Sequence, residues 1–263
     1  MEQSSFTIPA RPTGYSYLGW IAGGTGCASA SGVSTSFSAG ESHFSGQVTT
    51  FDASYSLNGP GVHILAECTA VGAYRMMGFD MQQLQNSILK LDRVPTDDGP
   101  DDPWLAFESF IAGFVPNSTN DRFTVPDAVC KAVERLEQEG GNGRICDLCR
   151  ELQINERTLH RSFLKVVGLS PKAFATIQQV LGALRHLQES PTANISSVAV
   201  DAGFTDQSHL SNVFRQYLRV TPAKVHLSDD GVLSSLVAGD VGGADDSGSD
   251  GDNALGGETD RTV

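Results

Sequence analysis

The chain has 263 residues, 40% of them hydrophobic, and a formal net charge of -13 at pH 7. This length and apolar content suit one large or two modest domains with a real core. No apolar run is long enough to span a bilayer, which excludes a helical membrane protein.

The start, MEQSSFTIPARP, has an acidic second residue and no apolar stretch of the secretory type. Five cysteines, an odd number without framework spacing, fit a reducing compartment. A cytoplasmic protein without membrane contact is expected.

Residues 1–104 are predicted to be β-rich. GYSYLGWIAG, HFSGQVTTFDASYSLNG and GVHILAECTAVGAYRMMGF carry aromatic, β-branched and alternating residues, broken by Gly, Ser and Asn-Gly turns. That is the pattern of short antiparallel strands in a small sandwich or barrel. DMQQLQNSILKL, residues 80–91, then predicts a helix at the unit's C-terminal edge. Chemistry-bearing residues are sparse. His43 with Glu41, and His63 with Glu67, have metal-ligand character, but no closely spaced His pair exists, and solvated or core histidines are the reading adopted. GGTGC lacks the strand, helix and following acid of a dinucleotide fingerprint, so a flexible Gly/Ser loop is expected through GCASASGVSTSFSAG. No Ser/His/Asp set emerges. No catalytic residue, metal or cofactor is assigned.

DRVPTDDGPDDPW, around residues 92–104, reads as a linker. Residues 105–125 form a connector in which WLAFESFIAGF is an amphipathic helix suited to dimerisation or to joining domains. A helix over 126–139, started by Pro126 and stopped by Gly140-Gly141, opens an all-α unit at 126–227.

Within that unit the same pattern occurs twice. ICDLCRELQINERTLHRSFLKVVG places Leu148 and Cys149 on a short apolar face, Asn155 as a cap, and Leu159 and Phe163 on the inner face of a second helix. In the second copy Val198 and Ala199 answer the first pair, Gly203 supplies the turn, Thr205 or Asp206 the cap, and Leu210 and Phe214 the inner face. This is helix-turn-helix grammar, with one residue more in the second turn. Gln153 stands where the first turn would hold Gly, which predicts a strained or differently shaped turn. Cys146 and Cys149 form a lone C-x-x-C and are expected to be core residues.

The inner spacing leaves polar outer stripes. The first carries Glu156, Arg157, His160, Arg161 and Leu164; the second carries Gln207, Ser208, Ser211, Asn212 and Arg215. Gln and Asn suit adenine, Arg suits guanine, and Ser lets a helix sit deep in the major groove. SPKAFATIQQVLGALRHLQES, with Ser170 as N-cap and Pro171 in the first turn, predicts one helix bridging the two copies. Two reading helices on such a spacer would enter successive major-groove turns about 34 Å apart.

Residues 144–227 resemble the DNA-binding domain of AraC-type bacterial transcription regulators. The likeness rests on GLSPKAF after the first copy, on AGFTDQSHLSNVFRQYLRVTP in the second, and on the order of both around the bridging helix. The resemblance implies Arg157, His160, Arg161, Gln207, Ser208, Ser211 and Asn212 as base-facing positions. It implies double-stranded promoter DNA as partner and contact with, or exclusion of, RNA polymerase as mechanism. The N-terminal half would bind a small effector or pair two copies as a homodimer. Gln179 replaces the family's usual Arg, Leu164 takes an often basic place, and Arg219 replaces a Gly, which bears on phosphate anchoring.

The acid is unevenly placed. Residues 126–227 carry +2, against -7 in the first 125 residues and -8 in 228–263. A reader this weakly basic predicts modest affinity and a shallow salt dependence unless two copies act together. Arg144, Arg150, Lys165, Lys172, Arg215 and Lys224 are the expected backbone contacts. Residues 228–263, rich in Gly, Asp and Ser, are expected to be a disordered acidic tail. Overall an α+β protein is expected: a β-rich sandwich or barrel-like N-terminal domain and an all-α domain with two helix-turn-helix units. The rival reading is a β-barrel enzyme or ligand-binding protein whose helical part is a packing or protein-interaction module.

Overall fold

The computed structural model describes residues 5–49, 53–92, 102–114, 123–190 and 192–225. The expected acidic tail and most of the 92–104 linker lie outside the described residues.

The N-terminal part is one antiparallel sheet of β1 (Ser5–Pro9), β2 (Ser16–Ala30), β3 (Val33–Ser38), β4 (Ser42–Ser45), β5 (Ser54–Cys68) and β6 (Ile88–Leu91). Its order is β1-β5-β2-β4-β6, with β3 paired to the far end of β2. Strand β2 organises the sheet, pairing with β5 from Ser16↔Cys68 to Ser29↔Ser54 and with β4 from Tyr17↔Ser45 to Trp20↔Ser42. Register shifts lie between Ile21, Gly23 and Thr25. There Gly24 has φ +76, and a Cβ on it would come 2.9 Å from the Gly61 Cα, so the bulge needs a residue without a side chain. The sheet curls at this point, and Tyr55 near the start of β5 hydrogen-bonds Ser45 at the end of β4. The β-rich first half is as expected, as a single sheet with β1 and β6 at the ends of its order.

Three local expectations are corrected. The Gly/Ser stretch 26–40 is mostly a β2–β3 hairpin turning at Ser31 and Gly32, both at positive φ as a tight hairpin turn requires. Residues Gly72–Met77, read as strand, form helix α1. The helix expected over 80–91 is only a 3-10 turn, Met81–Leu84, capped by Asp80; after it Asn86 takes φ 52 and Ile88–Leu91 pairs with β4. Strand pairing overrides the helical spacing there, because the free edge of β4 needs backbone partners.

The helices that follow are α2 (Pro103–Ala112), α3 (Asp127–Gln138), α4 (Ile145–Glu151), α5 (Glu156–Val167), α6 (Pro171–Glu189), α7 (Ile195–Asp201), α8 (Gln207–Leu218) and α9 (Pro222–Val225). One sheet face, with Leu18, Trp20, Phe44 and Ile64, continues without a break into a core containing Met81, Phe107, Leu148, Leu159, Phe163, Phe174 and Leu181. Trp20 stacks on Phe107 of α2 at 6.4 Å, and Phe163 of α5 meets Phe174 of α6 edge-on at 5.7 Å. Polar ties reinforce the junction: Tyr15 Oη donates to Glu137 Oε1 at 3.0 Å, and Gln85 Nε2 donates to the Gly168 carbonyl. A second core joins Val180, Leu184 and Leu187 of α6 to Val198 and Ala199 of α7 and to Leu210, Phe214 and Leu218 of α8. The opposite sheet face has its own small core of Ile21, Ala28 and Phe37.

Because Phe163 belongs to the core that sheet and helices share, Phe163→Ala should lower stability by about 3–5 kcal/mol, and sheet and helix signals should melt together. Thermal unfolding followed by far- and near-ultraviolet circular dichroism checks this; a sheet melting apart from α5 would contradict the shared core.

Candidate nucleic-acid interface

The two repeated units are built alike. Helices α4 and α7 have seven residues each and α5 and α8 twelve each, separated by Leu152–Asn155 and Ala202–Asp206. The turn backbones follow one pattern. Leu152 N–H donates to Leu148 O at 2.9 Å and Ile154 N–H to Cys149 O at 3.0 Å; Ala202 N–H donates to Val198 O at 3.0 Å and Phe204 N–H to Ala199 O at 2.8 Å. Gln153 thus occupies the place of Gly203, at φ 52 against 80. The first turn keeps the helix-turn-helix shape and holds Gln153 in a left-handed conformation that disfavours a side chain.

Each second helix is capped as its sequence predicts. Asn155 Oδ1 accepts from Arg157 N–H at 2.8 Å, and Asp206 Oδ1 accepts from His209 N–H at 2.8 Å. The backbone N–H bonds at its carboxylate hold the Asp206 pKa below the ordinary value. Inside, Leu159, Phe163, Leu210 and Phe214 are fully buried. With that face fixed, the opposite one must point outward.

Arg157, His160 and Arg161 are exposed on α5, and Gln207, Ser208 and Asn212 on α8; Ser211 is half-buried. Matching the helix starts pairs Arg157 with Ser208, His160 with Ser211 and Arg161 with Asn212. The stripes differ chemically: α5 presents two guanidiniums and an imidazole, α8 amides and hydroxyls. Two of the α8 groups are pre-oriented. Ser196 Oγ donates to Gln207 Oε1 at 3.1 Å, and Arg215 donates to Asn212 Oδ1 at 3.2 Å.

The expected backbone contacts are less uniform. Arg144, Lys172 and Lys224 are exposed near helix ends. Arg150 is tied to Asp147 at 2.7 Å. Lys165 lies with its Nζ 6.0 Å from the centre of the Tyr74 ring of α1. Gln179 is no phosphate anchor: it is buried, and its Nε2 donates to Asn142 Oδ1 at 3.3 Å and the Gly203 carbonyl at 3.4 Å, clamping α6 to the second turn. Of the C-x-x-C pair only Cys149 is a core residue; Cys146 is exposed. The His–Glu combinations set aside in the sequence do not form, since Glu41 binds Lys90 at 2.9 Å and Glu67 accepts from Tyr17 Oη at 2.6 Å. Sequence reasoning left out His209, exposed on α8 within the polar stretch; its ring packs edge-on against Phe204 and bonds Thr205.

Two capped, outward-facing helices, each behind a short helix and a tight turn and joined by α6, define a double helix-turn-helix unit. Residues 148–226 match the helix-turn-helix domain family. This part of the chain carries a helix-turn-helix domain. The HTH-type transcriptional activator RhaS of Escherichia coli is 30% identical over 83 residues, 32% of this chain and 30% of that protein. The chain thus matches under a third of the length of these relatives. Among solved structures, ToxT from Vibrio cholerae is 15% identical over 86% of this chain and 94% of its own, with a TM-score of 0.48. The DNA-binding domain of AdpA in complex with a target DNA is 26% identical over 39% of this chain and 92% of its own, with a TM-score of 0.35.

Replacing Gln153 by Gly should raise stability by about 0.5–1 kcal/mol by relieving the left-handed side chain. Gly203→Ala should lower it, because a Cβ there would come 1.6 Å from Asn142 Oδ1. Denaturant unfolding of both variants measures the two changes.

Proposed function

We propose that the protein is a sequence-specific regulator of transcription that binds promoter DNA through residues 126–227. In this reading α5 and α8 enter successive major-groove turns, with Arg157, His160 and Arg161 on one half of the site and Gln207, Ser208, Ser211 and Asn212 on the other. Arg144, Arg150, Lys165, Lys172, Arg215 and Lys224 serve the sugar-phosphate backbone, with Arg144, Lys172 and Lys224 best placed for it. The observation that carries the reading is the pairing of fully buried inner faces with exposed polar stripes on both second helices. Had either stripe packed against the protein, the helical part would be a packing module.

Residues 1–104 act as a sensor or dimerisation domain, linked by 105–125. ToxT from Vibrio cholerae has been solved with an unsaturated fatty acid bound, and a small effector in the sheet domain is the corresponding proposal here. Transcription changes through contact with, or exclusion of, RNA polymerase, and no catalytic step is involved. Among the described residues no helix is long and apolar enough to cross a membrane; the protein's proposed place is on the nucleoid.

Arg157→Ala with Arg161→Ala should abolish promoter binding in a gel-shift assay, and unchanged binding by the double variant would sink the proposal. Gln207→Ala or Asn212→Ala should instead relax preference at particular base pairs by about 1–3 kcal/mol per contact, read by competition among operator variants. Equal weakening on every sequence would move those two residues to the backbone class.

A further inference from the structure

The curled sheet encloses two histidines that the DNA-binding reading does not use. On β2, Gly19 and Ile21 point to one face; His43 of β4 lies opposite Gly19, and His63 of β5 lies opposite Ile21, so both imidazoles share that face. Their ring centroids are 5.1 Å apart, with planes at 40°. Tyr55 completes the group, its ring centroid 6.0 Å from His43 and 5.8 Å from His63. His43 is fully buried, and neither of its ring nitrogens has a hydrogen-bond partner; His63 Nε2 is also buried and unpartnered. Buried polar atoms are nearly always satisfied, so three such nitrogens in one place call for a guest.

The position is shaped for an imidazole. A Cβ at residue 19 would fall 2.2 Å from the His43 ring, so Gly19 is what admits it. The neighbouring cavity, lined by Ser45, Tyr55 and Ile88 among others and by neither histidine, measures about 10 Å³, room for one water-sized body. Two imidazoles that share a tetrahedral ion through metal–nitrogen bonds of about 2.0–2.1 Å have centroids about 5 Å apart, which matches the observed spacing.

We propose that His43, His63 and the Tyr55 phenol form an interior site for one divalent first-row transition-metal ion such as zinc. Imidazole nitrogens and a phenol oxygen suit this class of ion. The Ser45 hydroxyl bonded to Tyr55 orients the phenol. Lys90, opposite His43 on β6, is neutralised by Glu41 at 2.9 Å. On binding, the phenol O–H bond breaks, its oxygen bonds the metal, and the proton passes to buffer. This gives the buried ion one compensating negative charge.

The test uses the full chain, stripped with EDTA and titrated with zinc by calorimetry in two buffers of different ionisation enthalpy. One equivalent should bind with net proton release, and cobalt should give a visible spectrum of nitrogen and oxygen ligation. His43→Gln and His63→Gln should each weaken binding about tenfold or more, while Cys146→Ser leaves it unchanged. A thermal melt without metal establishes that each variant is folded. His63 is only half-buried, so its variant decides if His43→Gln does not fold. The proposal is overturned if the wild type binds no metal, or if folded His63→Gln binds as tightly as the wild type.

Discussion

Helix α6 must satisfy two cores at once, and the rest of the structure depends on its doing so. Phe174, Ile177 and Leu181 face the core shared with the sheet, while Val180, Leu184 and Leu187 face the core of α7 and α8. Helices α5 and α8 take their inner faces from these two cores. Their outward stripes therefore follow from where α6 puts its apolar residues, since a helix with one face buried has no freedom to rotate the other inward.

The two units are consequently not equivalent. The first is built into the sheet-containing core: Phe163, Val166 and Val167 of α5 share it with Leu18 and Phe44, and the cap at Gly168 is bonded by Gln85. The second has a core of its own and reaches the remainder through α6 and the Gln179 clamp. Any rearrangement of the sheet domain would act first on α5, the helix carrying Arg157 and Arg161. The chemistry divides the same way: Arg157, His160 and Arg161 face outward on the anchored helix, and Gln207, Ser208 and Asn212 on the other.

Much of the helical half was legible because it is written in local rules. Caps at Asn155, Ser170 and Asp206, the turn at Gly203, and an apolar residue every three or four positions act over a single turn of helix. Even the strain at Gln153 could be anticipated, because only glycine adopts that backbone at no steric cost. The sheet was harder to read. Residues 80–91 have helical spacing but give a 3-10 turn and an edge strand, and the Gly/Ser run of 26–40 became a hairpin, because pairing partners far along the chain decided both.

From the amino-acid order alone came the two repeats, their bridging helix, the outward residues and a β-rich first half, all consequences of periodicity and capping. Tertiary structure alone decided that Gln179 points inward, that Glu41 and Glu67 turn away from the histidines, and that His43 and His63, twenty positions apart, meet beneath Gly19. The first depends on how α6 packs on the second turn, and the others on strand register, where a bulge of one residue in β2 is enough to redirect every side chain beyond it.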